Sequence, residues 1–322
     1  MLDMIFIVAG LIGLVWSSDK FVDGAAAIAR WAGLSPLLIG LTIVSLGTSA
    51  PEIVISIIAS LSGSGELAVG NALGSNIANT GLVLGVTLII KSMAVEASAI
   101  RRELPQMMGA TLLAGALLAD GELSLLDGTV LLSALILFLF LLSKRGPSKE
   151  ATGVEAAASA GLAWLKFLGG LVLLVISSRV LVIGAVNVAT ALGVSELIVG
   201  LTIVAIGTSL PELAASVVSA VKGHADMAIG AILGSNIFNL LIVLPIPGLL
   251  GPLPLDASVY YRDWLYTAFT ASLLALFMWQ AQRSASRHQK ASGELSRFAG
   301  VVLLGTYITY LGILITAPDL AG

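Results

Sequence analysis

One segment occurs twice in this chain, and each copy carries an acid where an acid is costly. Gly40–Asn79 reads GLTIVSLGTSAPEIVISIIAS and then, after a short loop, VGNALGSNIAN. Gly200–Asn239 reads GLTIVAIGTSLPELAASVVSA and then IGAILGSNIFN. The offset is 160 residues and holds without a gap from Ser17/Ser177 to Leu84/Leu244. Each copy has one acid, Glu52 or Glu212, inside an otherwise uncharged apolar run. Leu37–Leu61 would be about 37 Å long as a helix, enough to cross a bilayer with tilt. A carboxylate at that depth costs about 2.5–3.5 kcal/mol on insertion scales. Two of them at equivalent repeat positions point to a shared purpose.

The rest of the chain fits a lipid solvent. It is 57% hydrophobic and 11% charged over 322 residues, with mean hydropathy +1.03, whereas soluble domains carry about 25% charged residues. With no cysteine, disulfides, thiolate metal sites and thiol catalysis are excluded. The first sixteen residues lack a basic start and a small-residue cleavage site, and read as a first membrane helix rather than a removable signal. Hydropathy predicts ten spans near 3–28, 36–62, 66–90, 103–119, 124–142, 161–189, 196–221, 226–250, 262–281 and 297–316. They divide into a first half, 1–143, a polar and basic linker, 144–160, and a second half, 161–322. Five spans per half is an odd number, so the second half enters the membrane inverted, as in many secondary transporters. On that topology 14 of the 16 Lys and Arg residues fall on one side and only Arg179 and Arg262 on the other. The positive-inside rule then puts both termini outside. Asp19, Lys20 and Arg179 lie near span ends, and Trp164, Trp264 and Trp279 read as interfacial anchors.

Both copies contain G-T-S-x-P-E. Pro51 and Pro211 remove a backbone donor, and Gly47 and Gly207 ease local unwinding. A break at Ser45–Pro51 frees carbonyls that are tolerable at mid-membrane only beside a cavity or a ligand. Thr48, Ser49, Thr208 and Ser209 add hydroxyl oxygens. The next span of each half adds Ser75 with Asn79, and Ser235 with Asn239, four residues apart and so on one helix face. This is an oxygen set suited to Ca²⁺ or Na⁺ and unsuited to zinc or copper. Two facing carboxylates in a low dielectric do not both stay ionised unaided. One Ca²⁺, several Na⁺ or protons would neutralise them, and a site that must always be neutralised by one set or another has the logic of an antiporter. A passive cation channel could use the same oxygens, but an internal inverted pair does not build a channel's usual axis. An intramembrane hydrolase is disfavoured because GTSAP and GTSLP are not a nucleophile elbow and no His is near.

The doubled GTSAPE/GSNIAN and GTSLPE/GSNIFN resembles the two alpha-repeats of the cation/calcium exchanger superfamily, in its prokaryotic sodium/calcium exchanger branch. The resemblance covers the whole chain. It implies an all-α membrane protein of ten transmembrane helices in two inverted five-helix repeats, with spans 2, 3, 7 and 8 broken. It implies Glu52 and Glu212 as shared Ca²⁺ and Na⁺ ligands. Backbone carbonyls near Ser45, Thr48, Ala205 and Thr208 would contribute, with the side chains of Ser49, Ser75, Ser209, Ser235, Asn79 and Asn239. The proton-coupled branch typically carries a G-N-A-x-E element. Here Gly70-Asn71-Ala72 is followed by Leu73 and Gly74, which favours sodium coupling. Potassium-dependent members carry an acid where this chain has Asn239, which argues against a K⁺ requirement. The second repeat departs at Ala231, where the first has Asn71. Asn76 and Asn236 read as structural. The resemblance further implies no cofactor beyond the transported ions, no nucleic acid, a monomer in the plasma membrane of a prokaryote, and spans 1 and 6 sliding on the core. Gly10, Gly13, Gly24, Gly169, Gly170 and Gly184 would suit such sliding surfaces.

Overall fold

The computed structural model describes residues 2–144, 160–193, 203, 205–287 and 292–316. Helix α1, Leu2–Ala32, is one long apolar run. Ser35 starts the next helix: its Oγ accepts from the Leu38 N–H at 3.2 Å, and Pro36 takes the first helical position, where it forfeits no bond. Helix α2, Pro36–Thr48, and helix α3, Ala50–Leu61, meet at a 42° bend. Ser49 is the joint, with φ −82° and ψ 3°. Pro51, in the first turn of α3, has no N–H to reach back to Gly47, so the ladder fails where the sequence placed the break. Helix α4 is Gly65–Ile90, α5 is Leu104–Leu118, and α6 is Leu125–Ser143. Ser124 and Asp127 cap α6 reciprocally, side chain to backbone. After α7, Ala160–Ala191, the second half repeats the first: short α8, Ala205–Thr208, α9, Leu210–Val221, with Ser209 between them, and α10, Ala225–Leu250. Helices α11, Leu265–Arg287, and α12, Arg297–Thr316, complete the chain. Among the described residues six helices are long and apolar enough to cross a membrane, and the bent α2–α3 pair makes a seventh. Of the other expected spans, 103–119 and 262–281 correspond to α5 and α11, and 196–221 holds α8 and α9, with most of its stretch before Ala205 lying outside the described residues.

Spans 3 and 8 depart from expectation. Each is one continuous helix, α4 or α10, and in place of a break each holds a five-residue π turn, at Asn79–Val83 and Asn239–Val243. Neither turn contains a proline, so the backbone keeps its bonds and only lengthens their reach. Both turns begin on the last Asn of the motif, GSNIAN in the first copy and GSNIFN in the second. The 160-residue offset recurs in the loops. Gly63 and Gly223 turn the chain at φ +76° and +86°, and Gly33 and Gly193 do so at φ +68° and +82°, a region that favours glycine.

Helices α4 and α10 form the centre. The shares of their apolar stretches buried in the protein are 72% and 94%, against 17–33% for α1, α6, α7 and α12. Helix α2 crosses α10 backbone to backbone: a β-carbon on Gly40 would overlap the Met227 carbonyl, and one on Gly230 would overlap that of Leu37. Helices α1 and α7 pack along each other at the periphery. Gly10 meets Leu181, Gly13 meets Ser177, Gly24 meets Phe167, Gly170 meets Phe21, and Gly184 meets Asp3 and Phe6. Five of the six glycines expected on a sliding surface therefore join α1 to α7, and Gly169 faces open space. Lys222, at the end of α9, pairs with Asp19 and with Asp23 of α1, the latter at 2.6 Å, so Asp19 is tied to a neighbouring helix rather than free at an interface. Two short antiparallel ribbons close the ends. Strand β1, Met93–Val95, pairs with β4, Gly293–Leu295, and β2, Glu122–Leu123, pairs with β3, Leu253–Pro254.

Candidate ion-binding site

Glu52 and Glu212 each lie in the first turn of a helix that starts at the bend, α3 and α9. A helix N-terminus carries partial positive charge, which favours an acid there. Both are buried, at 1% and 5% exposure, and their carboxyls act on one another through space. Neither oxygen of Glu212 has a hydrogen-bond partner, nor has Oε2 of Glu52. The same holds for the hydroxyls of Ser49, Ser209 and Ser235 and for both amide atoms of Asn239, all buried. Buried polar atoms are nearly always paired, and all of these but the Asn239 Nδ2 donor can accept, so the concentration of oxygens calls for an electropositive partner. The Thr48 hydroxyl donates backwards, to Val44 O at 3.2 Å and Ser45 O at 3.3 Å, which leaves its lone pairs to its surroundings. The hydroxyls of Thr48 and Ser49 approach the Glu212 carboxyl outside hydrogen-bonding geometry. A cavity of about 10 Å³ is lined by Thr48, Asn79, Glu212, Ser216, Ala231 and Ser235. That is room for one water or one ion. No group of three or more His, Asp or Glu side chains stands together among the described residues, so these two acids are joined only by neutral oxygens. The donor set fits a hard cation.

The remaining candidates divide. Ser45 is fully buried; its hydroxyl donates to Thr42 O at 3.1 Å, and its carbonyl accepts from the Ser49 N–H at 2.9 Å. Ala205 opens the short helix α8. Ser75 lines a larger cavity of about 420 Å³ together with Thr208 and Ser209, and Arg262, Asp263 and Tyr310 line the same space. The site is therefore approached from the face where β2 and β3 pair. A hollow of about 50 Å³ between Pro51, Arg179 and Pro211 also reaches Thr208, and Arg179 is itself exposed. At the β1–β4 end, a cleft of about 710 Å³ lined by Glu96, Arg101, Arg102, Glu103 and Lys144 touches none of the candidate ligands.

Some contributors were not visible from the motifs. Asn71 donates to Glu52 O at 3.2 Å and to Ser56 Oγ at 3.3 Å, pinning α3 to α4 beside the acid. The second copy has Ala231 there, and its methyl lines the small cavity instead. The mismatch between the repeats was the available signal. Asn76 Nδ2 donates to Asn236 O at 3.2 Å and Asn236 Nδ2 to Thr80 Oγ1 at 3.0 Å, joining the halves at the centre in the structural role expected of them. Ser178 of α7 donates to Gly207 O at 2.9 Å, satisfying a carbonyl released at the second bend. Trp264 is not an interfacial anchor: its Nε1 donates to Thr111 O at 2.9 Å, and its ring fills the space over Gly115. Trp279 does lie half-exposed, with the Arg283 guanidinium 3.6 Å over its ring.

Comparison with known proteins decides the family. A family model described as "Sodium/calcium exchanger protein" matches residues 2–144 and 162–316. The chain belongs to that family. This exchanger-family protein is 42% identical over 324 residues to the putative antiporter CaxA of Alkalimonas amylolytica, covering 97% of this chain and 98% of the other. It is 38% identical to the inner membrane protein YrbG of Escherichia coli K12 over 96% and 95% of the two chains. It is 29% identical to the sodium/calcium exchanger MaX1 of Methanosarcina acetivorans over 97% and 98%. The solved structure of the sodium-calcium exchanger NCX_Mj superimposes with TM-score 0.82 at 31% identity, covering 98% of this chain and 99% of that one. The protein is thus an integral membrane antiporter of the cation/calcium exchanger family, not an enzyme.

Proposed function

We propose that the protein exchanges Na⁺ for Ca²⁺ across a prokaryotic plasma membrane, without a K⁺ requirement, by alternating access to the Glu52–Glu212 site. One observation carries the reading: two buried acids, one of them lining a small cavity, and the buried hydroxyl and amide oxygens of both repeats have no protein partner. Glu52 and Glu212 supply the charge. Thr48, Ser49, Ser75, Asn79, Thr208, Ser209, Ser235 and Asn239 supply neutral oxygens, with carbonyls at Ser45 and Ala205. One Ca²⁺ cancels both acids, and Na⁺ ions cancel them in turn. An unneutralised pair would hold two charges in a low dielectric, so the carrier reorients only when loaded, and that couples the two fluxes.

In this reading ten spans form two inverted repeats, 1–143 and 161–322, joined by a cytoplasmic linker at 144–160, with both termini outside and the monomer as the working unit. Sodium coupling is favoured by the absence of an acid after Gly70-Asn71-Ala72 and by likeness to MaX1 and NCX_Mj, both named sodium/calcium exchangers. Proton coupling in the same fold is the second reading, because unpartnered carboxyl oxygens at Glu212 can also take protons. The channel reading loses ground because the cavity that touches the site opens toward one face. The test is Ca²⁺ uptake by proteoliposomes under an imposed outward gradient of Na⁺, K⁺ or H⁺ in turn. Uptake driven by Na⁺ alone is expected, and uptake driven by H⁺ in Na⁺-free medium overturns sodium coupling.

A further inference from the structure

The cavity that reaches Ser75, Thr208 and Ser209 has a charged pair in its wall for which the exchange reaction has no assigned use. Asp263 is buried, and the neighbouring Arg262 grips it with two bonds, Nε to Oδ1 at 2.7 Å and Nη2 to Oδ2 at 3.1 Å. The Tyr310 hydroxyl donates to Oδ1 at 2.9 Å. All three side chains line the same space as the candidate ligands of the second repeat. An arginine guanidinium keeps its charge, so its compensation by Asp263 decides what field a passing cation meets. The arrangement has a counterpart 160 residues earlier: Arg102 and Glu103 stand in the same order, Glu103 is likewise buried, and both line the large cleft at the β1–β4 end.

We propose that Arg262 and Asp263 set the electrostatic barrier at this mouth and so fix the apparent affinity for cations arriving from the β2–β3 face. The inference rests on reading this cavity as the ion route. Paired, the two charges cancel and the wall is near neutral. Without Asp263 the guanidinium becomes an uncompensated positive charge beside the path. Without Arg262 the carboxylate draws cations in, because charge lining a low-dielectric cleft is focused along it. The energy of an ion near a fixed charge scales with the ion's own charge. A substitution here therefore shifts the Ca²⁺ half-saturation by the square of its effect on each Na⁺.

The experiment measures half-saturating Ca²⁺ and Na⁺ separately at each face, in vesicles of known orientation. At the β2–β3 face Asp263→Asn is expected to raise the value about fivefold for Ca²⁺ and about twofold for Na⁺, as for a unit charge roughly 8 Å from the path in a water-filled cavity. Arg262→Gln lowers both. The double variant returns to within about twofold of the parent, since it restores neutrality. Values at the other face stay put in all three. A merely structural tie between α11 and α12 predicts otherwise, and Tyr310→Phe exposes it by removing the tie while keeping the charges. The proposal is overturned if both single variants raise the half-saturation, if Ca²⁺ and Na⁺ shift equally, if both faces shift together, or if Tyr310→Phe matches Asp263→Asn. A parent protein that exchanges no Ca²⁺ overturns the antiporter reading instead.

Discussion

Glu52→Gln should make the cation-free protein more stable while abolishing its response to Ca²⁺. Glu52 is 1% exposed and its Oε2 has no partner, and both oxygens of the facing Glu212 are equally unpaired. An amide has the same shape and carries no charge. With no cation bound the two carboxyls do not both stay ionised, so the substitution removes at most the burial cost of one charge, up to about 2.5–3.5 kcal/mol on insertion scales. In the parent, Ca²⁺ at a hundred times its dissociation constant adds about 2.7 kcal/mol to the folded state. For a chain of this size that is a rise of about 5 °C in Tm, at about 2 °C per kcal/mol. The assay is thermal unfolding in detergent, with chelator and with Ca²⁺, for parent and variant. The parent should rise by that amount, and the variant should start higher and rise by less than about 1 °C. A variant that starts lower and still shows the full Ca²⁺ shift would refute the idea that the acid is held in tension until a cation arrives.

Three further substitutions probe the frame around the site. Asn71→Ala removes the bonds to Glu52 O and Ser56 Oγ; the loss of about 1 kcal/mol of positioning should raise the Ca²⁺ half-saturation about fivefold in flux assays. Gly230→Val puts a β-carbon into the Leu37 carbonyl where α2 crosses α10; destabilisation of at least about 1–3 kcal/mol is expected, read as a fall in Tm and in folded yield. Trp264→Phe loses the bond to Thr111 O and should cost about 1–2 kcal/mol in thermal unfolding while leaving the Ca²⁺ half-saturation within twofold of the parent.

Much of the site was legible because its chemistry is local in the chain. The Glu, its Pro and its hydroxyls lie within five residues of one another, and the 160-residue copy supplied their partners without any knowledge of packing. The bend at Ser49 falls within the Ser45–Pro51 break expected from Pro51 and Gly47. The π turns at Asn79 and Asn239 did not, because a widened turn keeps every bond paired and needs no breaker residue. The α1–α7 glycines were recognised as close-packing positions, but which helix they would meet is a long-range fact that spacing does not encode. Trp264 looked like an interfacial anchor because it opens an apolar run, and only the fold places the Thr111 carbonyl beside its indole. Asn71 announced itself only by lacking a copy.

The central claim is that Ca²⁺ and Na⁺ use one set of oxygens and that the two acids accept one cation load or the other, never both. Equilibrium binding of radioactive Ca²⁺ to the purified protein, titrated at several fixed Na⁺ concentrations, tests this directly. The account predicts that Na⁺ raises the apparent Ca²⁺ dissociation constant without limit while the Ca²⁺ capacity stays unchanged. A Na⁺ effect that saturates with Ca²⁺ still bound, or a loss of capacity at constant affinity, would mean that the two ions occupy separate sites.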